Sequence, residues 1–171
     1  MDKELATHLE TLHPDAFGWA LHCCGGDVSR AEDVLQNAYL KVAQERVNFE
    51  GRATFKTWWF GVIRFTAHEE HRRVRFRESL LGRLFSTLNE GTHPPPSRNL
   101  EFNERNAELR AALAQLPARQ AEVLHLVFYQ DLTLAEAAAV MRVTVGSTRQ
   151  HYERGKARMR ELLKNELYHE T

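Results

Sequence analysis

The sequence has little cysteine, no excess charge and no long apolar run, and each shortage removes a class of protein. Of its 171 residues only two are cysteines. Cys23 and Cys24 are adjacent and cannot staple distant parts of the chain, so a disulfide scaffold is excluded and a reducing compartment is expected. The longest uncharged run, Ala16 to Gly26, is about half of the roughly 20 residues that a membrane helix needs. There is no basic start leading into an apolar stretch and a cleavage site, so no secretory signal is expected. A Gly-rich phosphate loop is also missing, and no Ser/His/Asp arrangement stands out, which argues against an enzyme. What remains is 43% hydrophobic and 27% charged, enough for a packed core. A cytoplasmic protein without membrane insertion, built as one domain or two small ones, is the expectation.

Charge is balanced overall, with 23 basic and 23 acidic residues, but not along the chain. Residues 1–50 hold 4 basic and 9 acidic side chains, whereas residues 51–83 hold 8 basic and 3 acidic. A second basic block runs from Arg142 to Lys164, with 7 basic and 2 acidic residues. Two separate cationic blocks point to contact with a polyanion at two places.

Breakers divide the chain at the same scale. Ser86 to Asn99 reads STLNEGTHPPPSRN, a linker of 14 residues that spans at most about 45 Å when extended. Elsewhere the apolar residues recur at helical spacing. Ala31, Val34, Leu35, Ala38 and Val42 form one stripe, and Ser29-Arg30-Ala31-Glu32 reads as a capping box ahead of it. Gly25-Gly26 closes a preceding helix that starts at Pro14. Thr54 is the expected N-cap of a long helix reaching about Arg77. Pro117 opens a helix with Val123, Leu124, Val127 and Phe128 on one side, and Thr133-Leu134-Ala135-Glu136 is a second capping box. The fold class is all-α: two small helical domains joined by a flexible linker. The expected division is 1–85, a Pro-rich linker at 86–104, and 105–171.

Thr133 to Leu163 carries the strongest functional signal. A short helix, a tight turn at Met141-Arg142-Val143 and a longer basic helix capped by Thr144 form a helix-turn-helix pattern. Val145, Thr148, Tyr152, Met159 and Leu163 are expected to face inward. Ser147, Arg149, Gln150, His151, Arg154 and Arg158 are expected to face outward, with groups suited to base edges and phosphates. The second signal is TFKTWWFGVIRFTAHEEHRRVRFR, Thr54 to Arg77, where aromatic residues alternate with cations. Such a mixture suits single-stranded or melted nucleic acid, although Trp58, Val62, Phe65 and Glu69 share one face and at least half of the aromatics are expected to be core. A third line, Asp33, Gln36, Asn37, Leu40 and Gln44, places one leucine among polar residues, as a protein-contact surface does. His68-Glu69-Glu70-His71 lacks the four-residue histidine spacing of a zinc protease, and no metal or cofactor is expected.

In this order, AEDVLQNAYLKV (Ala31 to Val42), FEGRATFKTWWFGVIRFTAHEEHRR (Phe49 to Arg73), a linker and the Leu116 to Leu162 segment resemble a bacterial sigma factor of the extracytoplasmic-function group. The resemblance covers roughly residues 15–80 and 105–165. It implies a protein without enzymatic chemistry that binds core RNA polymerase and directs it to the promoters of a stress- or signal-dependent regulon. Asp33, Gln36, Asn37 and Leu40 would dock on the β′ clamp helices, with a further contact to the β subunit. Lys56, Trp58, Trp59, Arg64, Arg72 and Arg73 would meet and help melt the −10 element. Ser147, Arg149, Gln150, Arg154 and Arg158 would read the −35 element.

Four residues depart from the family pattern. Asn37 stands where an acid is usual, and Phe65 where an Asn often helps to read the −10 element. Arg142 replaces a frequent Gly, and Glu153 is an unusual acid facing DNA. Some groups of this family are controlled by a Ser/Thr kinase and others by an anti-sigma factor. Phosphate at Thr54, or else at Thr57, would supply the charge that Asn37 lacks. Two rival classes are a helix-turn-helix regulator acting without polymerase, and a helical metal enzyme using His68 and His71.

Overall fold

A computed structural model describes residues 3–84 and 111–169, with side chains described over 4–79 and 111–164. The expected linker at 86–104 lies outside the described residues. The chain divides into two compact units, with the boundary between Arg98 and Asn99.

In the first unit, α1 (Lys3–Thr11) lies against α2 (His13–Cys23), and α2 packs with α3 (Val28–Ala43) and α4 (Phe55–Leu84). Pro14 sits in the first turn of α2, where its missing N–H costs nothing. Gly25 and Gly26 end that helix with positive φ of 65° and 87°, a conformation that side chains resist. The start of α3 differs from expectation: Asp27, not Ser29, is the N-cap, and its carboxylate accepts from the Arg30 N–H at 3.1 Å. An ionised carboxylate released into extended backbone just after two glycines is a stronger acceptor than the Ser29 hydroxyl. Ser29 and Glu32 therefore lie within the helix and are exposed.

Thr54 caps α4 as expected, its Oγ1 accepting from the Thr57 N–H at 3.2 Å, and the helix continues past Arg77 to Leu84. The buried arc of α4 is not the Trp58, Val62, Phe65 and Glu69 line. Trp59, Phe60, Val62, Ile63, Thr66 and Ala67 are buried, while Phe65 is exposed. The reason is that α4 is covered by two helices, α2 and α3, which widens and rotates the buried stripe beyond one face. Trp19 joins the layers, its indole Nε1 donating to the Phe60 carbonyl at 3.0 Å. Cys23 and Cys24 are reduced thiols, half-buried. Burial pushes Cys24 up to about 11, against the opposing pull of Arg30, so its thiol stays protonated.

The described part of the second unit opens with helical residues 111–114 and continues with α5 (Ala118–Phe128), α6 (Leu134–Met141) and α7 (Val145–His169), the last three packing pairwise. Ala112, Leu116, Ala121, Leu124, Met159 and Leu162 form one buried cluster. The capping box at α6 is complete: Glu136 N–H donates to Thr133 Oγ1 at 3.2 Å, and Thr133 N–H to Glu136 Oε2 at 2.9 Å. At the end of α6, Arg142 adopts the left-handed conformation with φ 55° and ψ 48°. A non-glycine residue there carries a steric cost of about 1–2 kcal/mol. Arg142→Gly is therefore expected to stabilise the unit by about 1 kcal/mol, raising its thermal midpoint by roughly 4–8 °C. A calorimetric scan checks this, and a lowered midpoint would contradict it.

Candidate nucleic-acid and partner interfaces

Three surfaces hold the residues that the sequence singled out. On α3, Asp33 and Gln36 are exposed, Asn37 is half-buried, and Leu40 is 47% exposed. An apolar side chain so placed contributes little to the core and is available to a partner. Beside this line runs a shallow, largely apolar groove against α1 and α2, lined in part by Leu9, His13, Phe17, Tyr39 and Leu40. His13 Nδ1 and Tyr39 Oη lie 2.9 Å apart, and burial raises the Tyr39 phenol above its ordinary value. The part His13 and Phe17 play in this groove was not legible in the sequence, because the groove forms only when three helices meet, over the buried Leu9.

The inner flank of α3 is tied to α4 by Lys41. Its ammonium donates to Glu69 at 2.6 Å and to Thr66 Oγ1 at 3.1 Å, and lies 5.0 Å from the centroid of the Phe65 ring. Arg73 adds contacts to Glu69 at 3.5 Å and Glu70 at 3.1 Å. The hydrogen bond from Lys41 is the main cause that lowers the Glu69 carboxyl below the ordinary glutamate value, with burial opposing it. A depressed carboxyl stabilises the fold fully above its unfolded value, about 4.3, and that contribution fades as the pH falls through the lower folded value. Glu69→Gln is thus expected to lower the thermal midpoint at neutral pH and to converge on the wild type as the pH falls below the lowered folded value. Melting both proteins across that range checks it, and a gap independent of pH would contradict it.

On α4 the expected nucleic-acid residues part company. Trp59 is fully buried, with its ring 5.0 Å from that of Tyr39, and Arg64 is only 7% exposed. Both belong to the interior face of α4 and are corrected from the expected −10 set, since a helix wedged between two others cannot offer them outward. Lys56 is held by Asp15 at 2.9 Å, and Arg73 by the glutamates above. Arg72 is exposed, as are Val74, Arg75, Phe76 and Arg77 beyond it. Trp58 is half-buried in a cluster with Phe55 and Phe49, ring centroids 5.2 and 5.4 Å away. Phe49, itself exposed, lies in the loop before α4 and was missed because a lone aromatic in a loop carries no periodic signal. Thr54 is exposed, whereas Thr57 is buried and shares a hydroxyl contact with it at 2.8 Å.

In the second unit, α6, its three-residue turn and α7 form the helix-turn-helix. Thr144 caps α7, its Oγ1 accepting from the Ser147 N–H at 3.1 Å and donating to Ser147 Oγ at 3.0 Å. Arg149, Gln150 and Arg154 are exposed and Ser147 is half-buried. Arg158 is exposed but paired with Glu161 at 3.0 Å, and Glu153 with Lys156 at 3.5 Å. The inward stripe differs at its start, where Val145 is 45% exposed; at its end Leu163 is partly buried against the core cluster, and Leu162 belongs to that cluster as well. Phe128 is 59% exposed, not core, and stacks on Tyr152 at 5.9 Å, with exposed Tyr129 beside it in sequence. It ends α5, past the reach of the core cluster.

The family described as Sigma-70 region 2 matches residues 9–77, and Sigma-70, region 4 matches residues 112–161. Together they span more than two thirds of the chain. The chain is 27% identical to the ECF RNA polymerase sigma factor SigX of Bacillus subtilis, over 98% of this chain and 89% of the relative. It is 29% identical to the ECF RNA polymerase sigma factor EcfG of Rhodopseudomonas palustris, over 81% and 74%. The fold is similar to that of the sigma factor RpoE of Bartonella quintana, crystallised with the anti-sigma factor NepR. The TM-score is 0.71 at 23% identity, covering 95% of this chain and 98% of that one. A helix-turn-helix in one unit, an aromatic and basic helix in the other, and matches to both sigma regions in the expected order place the chain in the sigma-70 family, as a sigma factor of the extracytoplasmic-function group.

Proposed function

We propose that this chain binds core RNA polymerase, recognises a −10 and a −35 promoter element and initiates transcription of a signal-dependent regulon. The observation that carries the reading is that region 2 and region 4 occur together in one chain, each with an exposed surface of the matching chemistry. Asp33, Gln36, Asn37 and Leu40 are the polymerase-facing line on α3. Lys56, Trp58, Arg72 and Arg73 are the −10 set once Trp59 and Arg64 are returned to the core. Ser147, Arg149, Gln150, Arg154 and Arg158 are the −35 set.

Division of the chain near residues 86–104 suits this function, since two linked modules on one DNA raise each other's effective concentration. Control rests with a partner covering these faces or with phosphate at Thr54, where an exposed hydroxyl stands at the N-terminus of α4 and added negative charge is favoured. Thr57 is buried and is the poorer acceptor for a kinase. Full activity of Thr54→Ala in cells would remove the phosphate route.

The function is tested by mixing the full chain with core RNA polymerase and transcribing from a library of randomised promoter fragments. Co-elution with core enzyme and transcription dependent on two spaced sequence blocks is the expected result. Specific DNA binding by the free chain with no polymerase association would instead favour a helix-turn-helix regulator.

A further inference from the structure

We infer that Val145 reads the 5-methyl group of a thymine in the −35 element, and that Gly146 gives it the close approach to do so. The inference rests on the proposed −35 function of α7 and names the base chemistry that its first turn recognises.

Two adjacent residues there have no explanation inside the protein. Val145 has the residue type of a core position, yet it is 45% exposed, and the fully buried residue of that turn is Thr148. Packing in the second unit therefore does not require an apolar side chain at position 145. Gly146 is equally unforced. A Cβ added to it would meet only Thr144 Oγ1, at 3.9 Å, an ordinary contact, and its φ is not positive. Glycine is a poor helix residue, so neither space nor backbone conformation accounts for it. Both anomalies fall on the first two residues of the recognition helix, the part that meets base edges in this motif.

The chemistry of the major groove identifies the contact. Base edges there offer hydrogen-bond donors and acceptors, and the one apolar group is the thymine methyl. Valine is stiff at χ1, so it loses little freedom on docking against that methyl. Arg149 lies one helical turn further on and Gln150 beside it, both exposed, which supplies hydrogen-bonding groups next to the apolar contact. The missing Cβ at Gly146 lets the start of α7 sit nearer the base edges than any other residue would.

The test uses the full chain with core RNA polymerase. Duplexes with randomised −35 and −10 blocks are selected by binding, and the selected duplex is then remade with each −35 thymine replaced singly by deoxyuridine, which removes only the methyl. One replacement is expected to weaken wild-type binding about fourfold, the factor that burying one such group is worth. Val145→Ala is expected to lose that sensitivity, and Gly146→Val to weaken specific binding without lowering the thermal midpoint. Insensitivity of the wild type to every replacement, or sensitivity unchanged in Val145→Ala, overturns the inference and leaves the proposed function standing. Selection of no promoter sequence at all overturns both.

Discussion

Gly155→Val is expected to lower the thermal midpoint of the second unit by about 12–24 °C, the largest stability effect of any single substitution argued for this chain. Helices α5 and α7 touch at Gly155. A Cβ built there lies 3.1 Å from Leu124 Cδ1 and 3.3 Å from Leu124 Cγ and Gln120 Cβ. Leucine's end can turn aside, but the Gln120 Cβ is fixed to its helix, so α5 and α7 must separate. Overpacking of this kind costs about 1–3 kcal/mol, and the two further methyls of valine put this substitution at the upper end. Gly155→Ala is expected to be milder, because alanine's helix propensity, about 1 kcal/mol better than glycine's, offsets part of the clash. In a Leu124→Ala background the cost of Gly155→Ala is expected to shrink, and a double-mutant cycle measures that coupling. Additive effects would show that the two helices do not meet at this point.

Leu40→Glu is expected to weaken binding to core RNA polymerase by about 30-fold or more, the scale of a hot-spot residue at a protein interface. The thermal midpoint should stay within the small range typical of surface changes, because Leu40 is about half exposed and lies outside the core. Asn37→Asp, one turn earlier, is expected to tighten the same complex by restoring a charge toward a basic surface. Titration of labelled core enzyme with each variant separates the outcomes. An unchanged affinity for Leu40→Glu would move the docking surface elsewhere, with the groove beside Leu9, His13 and Phe17 next to be tested.

Local chemistry was legible in the sequence, and three-body packing was not. Thr133 with Glu136, Thr144 and Thr54 announce helix starts because a capping hydroxyl acts on amides two or three residues away, and Pro117 because its ring fixes φ and ends what precedes it. The same reasoning placed the α3 start two residues late, since Asp27 and Ser29 both carry capping side chains and only the glycine geometry chooses between them. Periodicity found the stripe of α3, which packs one face inward, but misjudged α4, which two helices cover. That error sent Phe65 to the core, and it left unnoticed that Trp59 and Arg64, which the resemblance put in the −10 set, are buried. Val145 was misread for a related reason: it sits at a helix end, where a periodic stripe runs on past the neighbour that would bury it. The exposed line on α3 was visible because one leucine among polar residues is conspicuous, while its flanking groove draws on helices distant in sequence.

The outer part of α4 has a consequence for dynamics. Beyond the 3.4 Å contact of Arg30 with His71, every side chain from Arg72 to Ser79 is exposed, and short-range pairs such as Arg73 with Glu70 add to the helix's own backbone bonds there. A stretch shorter than about 12–15 residues without tertiary support is marginally helical in water. Its amide hydrogens are therefore exchanged by local fraying, with an opening free energy well below that of the Trp59 to Ala67 segment. A nucleic acid seated on its arginines meets a helix that is only partly ordered beforehand, and slower exchange confined to these turns is the signature that it has docked.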